Sequence, residues 1–346
     1  GFGQSKPVMV FHKSFGWLKT NFYYADQETI KNIANKIASR LGRQLSLQKP
    51  NLNATLADGS RMNAIIPPIS FTGPSITIRK FKKNPLNPIN LAEFKTISLE
   101  ALAFLWMALQ TDSSMLIAGN TGSGKTTTMN ALFNFVRENE RIIVTEETPE
   151  INLPHKHIVK LNTVENLGVK MKDLIVETLR MRPDRVIVGE IRNTEEVEAF
   201  IDTLLAGQGK GSYATFHALS SAEVSKRMKK LGVMELDFAT IDLILVQKRW
   251  NRVSKNSAHE IRRITEICEV IEKNNTATIR KLFSYNYKKD RLEKTSESIK
   301  VKEKILNCFG LNQKQYNFEL KNREKFLQKM DLKEKCFFEK IKEYNL

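Results

Sequence analysis

The sequence predicts an α/β protein, with a parallel-rich sheet preceded by a smaller α+β region. Three observations predict it. From residue 91 onward, helix-like and strand-like patterns alternate as in βαβ units. A glycine-rich loop, "GNTGSGKTT" (residues 119–127), joins an apolar run to a helical pattern. Pro85 and Pro88 in "KKNPLNPIN" (residues 82–90) set that region apart from an earlier segment of different character.

The earlier segment reads as strand-like "PVMVFH" and "WLKTNFYY", then an amphipathic helix, "QETIKNIANKIASRLG". Ile30, Ile33, Ile37 and Leu41 of that helix fall on one face. Asp58-Gly59 is a tight-turn signal between two further strand-like pieces. We therefore expect an N-terminal α+β domain over 1–84, a linker over 85–92, and a nucleotide-binding domain over 93–346. "ALAFLWMAL" (residues 101–109) is too short to span a bilayer and reads as a buried helix. Strands are expected at 115–118, 141–145, 158–161, 186–189 and 211–216, with helices near 125–137, 171–181, 195–205 and 220–230. After residue 250 come "HEIRRITEICEVIE" and a strand-like stretch, then charged segments with helical spacing. The region from about 251 is expected to be a helical C-terminal extension.

At 346 residues there is room for two domains, and ordinary hydrophobic content excludes a disordered chain. The N-terminus carries no signal-peptide pattern, and a start without methionine leads us to expect further sequence upstream. Cys268, Cys308 and Cys336 are odd in number and lack metal spacing, which suits a reducing cytoplasm. The formal charge of +17 is uneven. Residues 1–100 hold 14 Lys/Arg against 5 Asp/Glu, residues 101–250 hold 18 against 19, and the remainder holds 23 against 14. Basic flanks around a neutral centre suit nucleic acid, an anionic lipid surface, or simply solvated faces.

The loop carries the chemistry. Gly119, Gly124, Lys125 and Thr126 satisfy G-x-x-x-x-G-K-[ST], with the apolar run Met115-Leu116-Ile117-Ala118 before them and a helix after. Backbone N–H groups of Gly119, Asn120, Thr121, Gly122, Ser123 and Gly124, continuing into Lys125, Thr126 and Thr127, would cradle phosphates at the positive end of the helix. Lys125 would reach the β/γ-phosphates and the Thr126 hydroxyl would face Mg²⁺. Three further signals follow. "RIIVTEETPEINL" ends a strand in Glu146 and Glu147, where an attacking water could be held, although an exposed acidic turn reads the same way. "RPDRVIVGEIR" delivers Glu190 from a buried strand as a partner for Mg²⁺. "GSYATFHALSSAEV" ends a strand near His217, which is either a structural histidine or a donor to a γ-phosphate.

In this order the four segments resemble the Walker A, Asp box, Walker B and His box of the type II/type IV secretion ATPase superfamily. "ADGSRMNAIIPPISFTGPSITIRKF" and the ending "LKNREKFLQKM…FFEKIKEY" are similar to its archaeal branch, the motors of archaella and archaeal pili. The resemblance implies a RecA-like P-loop ATPase domain and a homohexameric ring with ATP and Mg²⁺ between domains and neighbouring subunits. It also implies a cytoplasmic location at the membrane face and a polytopic membrane platform as partner. By the same resemblance Glu146 activates water, Glu190 is the Walker B glutamate, His217 is the His-box residue, and Arg61 and Arg79 approach the phosphates. Arg180 and Arg192 are further candidates for neutralising charge. Glu147 stands where relatives often carry Asp, and "GQGKGS" departs at Gln208 and Lys210.

Three function classes follow. One is an ATP-driven motor for filament assembly or secretion, with anionic lipid as a further contact and no nucleic acid expected. The second is a RecA-type nucleic-acid translocase, and the third a nucleotide-sensing subunit with little turnover. Stimulation by nucleic acid, stimulation by lipid or the membrane partner, and binding without hydrolysis separate them.

Overall fold

A computed structural model describes residues 6–12, 15–40, 42–80, 85–164, 167–207, 209–254, 257–330 and 337–345. The chain divides into two compact units, Gly1–Lys83 and Asn84–Leu346. Leu41, Gln208, Cys336 and residues 82–84 of the proline-rich stretch lie outside the described residues.

The first unit holds β1 (Pro7–His12), β2 (Gly16–Tyr23), α1 (Gln27–Arg40), β3 (Asn51–Thr55), β4 (Arg61–Ile65) and β5 (Ser75–Arg79). β1 and β2 form an antiparallel ribbon, and β3, β4 and β5 an antiparallel sheet in that order. The turn between β3 and β4 is the expected one. Gly59 has φ +81°, and Asp58 accepts the Ser60 N–H at 3.0 Å. In α1 the residues packed deepest are Ile30, Ala34 and Ala38, and Ile33 and Ile37 are half-buried. Ile33 and Ile37 therefore flank the contact, and the two alanines let the helix approach Leu52 and Met62 closely.

The second unit opens with α2 (Pro88–Glu93) and α3 (Leu99–Leu109), then β6 (Met115–Gly119), α4 (Lys125–Leu132) and β7 (Ile142–Glu146). It continues with β8 (Ile158–Asn162), α5 (Met171–Thr178), β9 (Arg185–Ile191), α6 (Thr194–Leu205), β10 (Ser212–Phe216), α7 (Ser221–Lys230) and α8 (Glu235–Phe238). It closes with β11 (Leu243–Ser254), β12 (Ser257–Lys273), β13 (Thr276–Asn286), β14 (Arg291–Lys294), α9 (Lys300–Phe309), α10 (Gln313–Lys329) and α11 (Phe337–Asn345).

One sheet of nine strands runs β14-β13-β12-β11-β6-β10-β9-β7-β8. The six from β11 to β8 are parallel, and β11 to β14 form an antiparallel meander. Strands buried on both faces are mostly apolar, and β6, β7 and β10 are fully buried, with Thr145, Glu146, Ser212 and Thr215 as their buried polar residues. Alternate residues feed two cores. Met115 and Ile117 of β6 face a cluster with α3, while Leu116 and Ala118 face one with Ile175 of α5, Phe200 of α6 and Val224 of α7. α3 is buried from Ala101 to Leu109 because α10 covers it from outside.

Two expectations are corrected. The linker over 85–92 is mostly α2: Asn87 caps it, Pro88 occupies a first-turn position where no N–H is needed, and Ile89 and Leu91 join the core. The extension expected to be helical from about 251 is strand as far as Lys294 and helical from Lys300. Its β-branched residues alternate with charged ones, the pattern of a half-buried sheet. Among the described residues no helix is long and apolar enough to cross a membrane.

Candidate nucleotide site

β6 lies between β10 and β11, and its C-terminal end releases the glycine-rich loop at a point where chain order reverses. Gly119 must be glycine, because a Cβ there would sit 2.0 Å from the Gln247 carbonyl oxygen. Gly122 and Gly124 adopt φ +71° and +98°, conformations that turn successive N–H groups to one side. Gly124 is also the N-cap of α4, so Lys125, Thr126 and Thr127 form the first helical turn.

Lys125 is 8 % exposed, and its Nζ donates to the carbonyls of Gly119 at 3.2 Å and Asn120 at 3.5 Å. Burial holds its ammonium below the ordinary lysine range, opposed by the charges of Glu190 and then Glu150. These two carboxylates are therefore the acidic groups the loop lysine feels. Glu190, on β9, accepts from His217 Nε2 at 2.9 Å and from Arg192 Nε at 2.8 Å. Arg192 also binds Glu147, so His217, Glu190, Arg192 and Glu147 form one chain of contacts. A carboxylate only accepts, so Nε2 of His217 carries the hydrogen. Burial first, and then Lys125, lower the His217 pKa below its ordinary value and favour the neutral ring.

Glu190 and His217 are thus in direct contact, and Lys125 stands within electrostatic reach of both. Glu146 is placed differently. It is 4 % exposed, and its Oε1 accepts the N–H groups of Glu150 at 2.8 Å and Ile151 at 2.9 Å. Burial pushes its carboxyl above the ordinary range despite those donors. One carboxylate oxygen bonded to two backbone N–H groups shapes the turn that carries Glu150. Glu150, half-buried, was missed by sequence reasoning; the signal was its place four residues beyond Glu146 in the same acidic segment. Arg180 is exposed and paired with Glu177 at 3.2 Å. Lys210 pairs with Glu140 at 3.3 Å. Arg61 and Arg79 face each other as cross-strand partners in the β4–β5 ladder of the first unit.

The donor set suits a magnesium nucleotide: a cradle of N–H groups, a threonine hydroxyl in the first helical turn, and an oxygen ligand in Glu190. A loop of this form at a strand–helix junction, with acids at neighbouring strand ends, defines a P-loop protein of RecA-like α/β fold. The family model for the type II/IV secretion system protein matches residues 16–334, and the chain belongs to this family. It is 44 % identical over 204 residues to MJ0781 of Methanocaldococcus jannaschii (56 % of this chain and 28 % of that one). It is 33 % identical over 348 residues to MJ0900 of the same organism (95 % and 61 %). The chain thus spans less than two thirds of each relative's length. The crystal structure of the pilus retraction motor PilT with bound ADP shares the fold. Its TM-score is 0.57 at 15 % identity, over 98 % of this chain and 93 % of that one.

Proposed function

We propose that the protein is a Mg²⁺-dependent ATP hydrolase that turns nucleotide hydrolysis into domain motion, driving assembly of an archaeal pilus- or archaellum-like filament or the export of protein. The observation that carries this reading is Lys125 held inside the glycine-rich loop by the Gly119 and Asn120 carbonyls, with Glu190 bonded to His217 at the ends of β9 and β10. The loop N–H groups and Lys125 bind the phosphates, and Thr126 and Glu190 hold the metal, which supplies charge neutralisation. Glu150 orients the attacking water, while His217, neutral and bonded to Glu190, donates toward the γ-phosphate only if its ring turns. Membership of the secretion family supports a motor over a nucleic-acid translocase. We further propose a homohexamer on the cytoplasmic face of the membrane, working with a polytopic platform protein and anionic lipid.

Hydrolysis of ATP by the purified chain, and its stimulation by anionic vesicles rather than by DNA or RNA, tests the reading. Binding without turnover would leave a nucleotide-sensing subunit instead. Glu190→Gln should keep ATP binding and slow hydrolysis about 10²-fold, because the charge that organises metal and water is lost while the cradle survives. A single-turnover assay beside a binding titration checks this.

Arg61 and Arg79 are cross-strand partners on neighbouring strands of the first unit, β4 and β5. We propose that they are kept as cations for the nucleotide phosphates. Replacing both with alanine should lower turnover about 10²-fold, with ATP affinity changing much less. Equal losses in affinity and turnover would argue for a binding role alone.

A further inference from the structure

The ladder between β6 and β11 ends with Gly119 opposite Gln247, where the loop begins. The side chain of Asn120 then continues it. Its Oδ1 accepts the Arg249 N–H at 2.9 Å, and its Nδ2 donates to the Arg249 carbonyl at 3.0 Å. A carboxamide thus reproduces the two-point pairing of a strand and fixes the start of the loop to β11. One step outward, Arg262 of β12 lies opposite Arg249. Its Nε donates to the Gly122 carbonyl at 2.9 Å, and the Arg249 guanidinium packs 3.0 Å from where a Gly122 Cβ would stand. Glu260 joins the two, at 3.2 Å from Arg249 and 2.6 Å from Arg262.

Two arginines facing each other across a ladder repel, so an arrangement that keeps them needs compensation. Glu260 and the Gly122 carbonyl provide it. When the N–H groups of a loop converge on an anion, its carbonyls point away, and it is a carbonyl that Arg262 holds. The contact therefore falls on the back of the loop and leaves the phosphate side open. Gly122 and Gly124 have the widest conformational freedom of any residue, and the left-handed angles they adopt need an outside restraint to persist without a ligand.

We propose that the β11–β12 arm is the backing of the phosphate loop, and that Arg262 is a positioning residue that holds Gly122 in its anion-binding conformation. This rests on the reading of the loop as a nucleotide site. Because ATP and ADP share the phosphate that the loop encloses, the backing acts on both alike. It contributes to binding in the ground state and the transition state equally, so it belongs to Kd and KM and not to kcat.

The test uses the full chain, titrated with ATP and with ADP and assayed at saturating ATP. Arg262→Ala should raise both dissociation constants by about tenfold, by the same factor, the scale of one charge-assisted hydrogen bond. Its kcat should stay within about threefold of the parent. Arg262→Lys, which restores a donor, should recover most of the affinity, and Glu260→Gln should weaken both nucleotides by about threefold. Unchanged dissociation constants in Arg262→Ala, or a fall in kcat alone, overturn the inference. If that variant does not fold, unchanged affinity in Glu260→Gln does so. Lys125→Ala separates the two levels: its loss of turnover beside an unaffected Arg262→Ala leaves the site standing without its backing, and its retention of turnover strikes the site itself.

Discussion

Lys125→Ala should lower ATP turnover by about 10³-fold or more without unfolding the protein. Its ammonium is buried at the mouth of the loop and bonded to the carbonyls of Gly119 and Asn120, a position from which a short swing brings it to a phosphate. Moving a buried cation onto a developing negative charge costs little reorganisation, which is where electrostatic catalysis gains most. The variant also removes a desolvated charge from α4, so its melting temperature should stay within a few degrees of the parent. Turnover near the parent's rate in a steady-state assay would put the chemistry elsewhere.

Glu150→Gln should be nearly as severe, about 10³-fold in turnover with ATP still bound, because a neutral amide cannot take a proton from water. Glu146→Gln should cost less than about tenfold. Its amide oxygen can still accept the N–H groups of Glu150 and Ile151, so the turn survives. Glu146→Ala removes that acceptor and should act through Glu150. Single-turnover rates for the three variants decide the order. A Glu146→Gln as slow as Glu150→Gln would return the water-holding role to Glu146.

The loop was legible because its chemistry is local: Gly119 to Thr127 are consecutive, and β6 before them is an unbroken apolar run. Glu190 and His217 were legible for a similar reason, each ending a buried strand of a parallel sheet whose strand ends meet on one side. The acidic pair was not. Choosing among Glu146, Glu147 and Glu150 needs the path of the turn after β7, and that path is set by a buried carboxylate bonded to N–H groups four and five residues ahead. Nor could sequence alone show that Arg249 and Arg262 meet behind Gly122, since strand register joins positions 140 residues apart. The meander was mistaken for helix because its charge density, high in Lys and Glu, suits an exposed helix as well as the open face of an antiparallel sheet.

The nine-stranded sheet also bears on how the chain behaves in company. An open sheet has two rims with unpaired backbone groups, where a strand from another copy could add and seed a fibre. At one rim β14 has four residues, and Arg291, Glu293 and Lys294 leave Leu292 as its single apolar side chain. At the other, β8 carries Lys160 at its centre, with the ammonium bonded to the Ile151 carbonyl at 2.7 Å. A strand arriving at either rim would have to strip water from fixed charges before gaining a hydrogen bond. Charge at both rims therefore weighs against strand addition by another copy, and most heavily at the short β14.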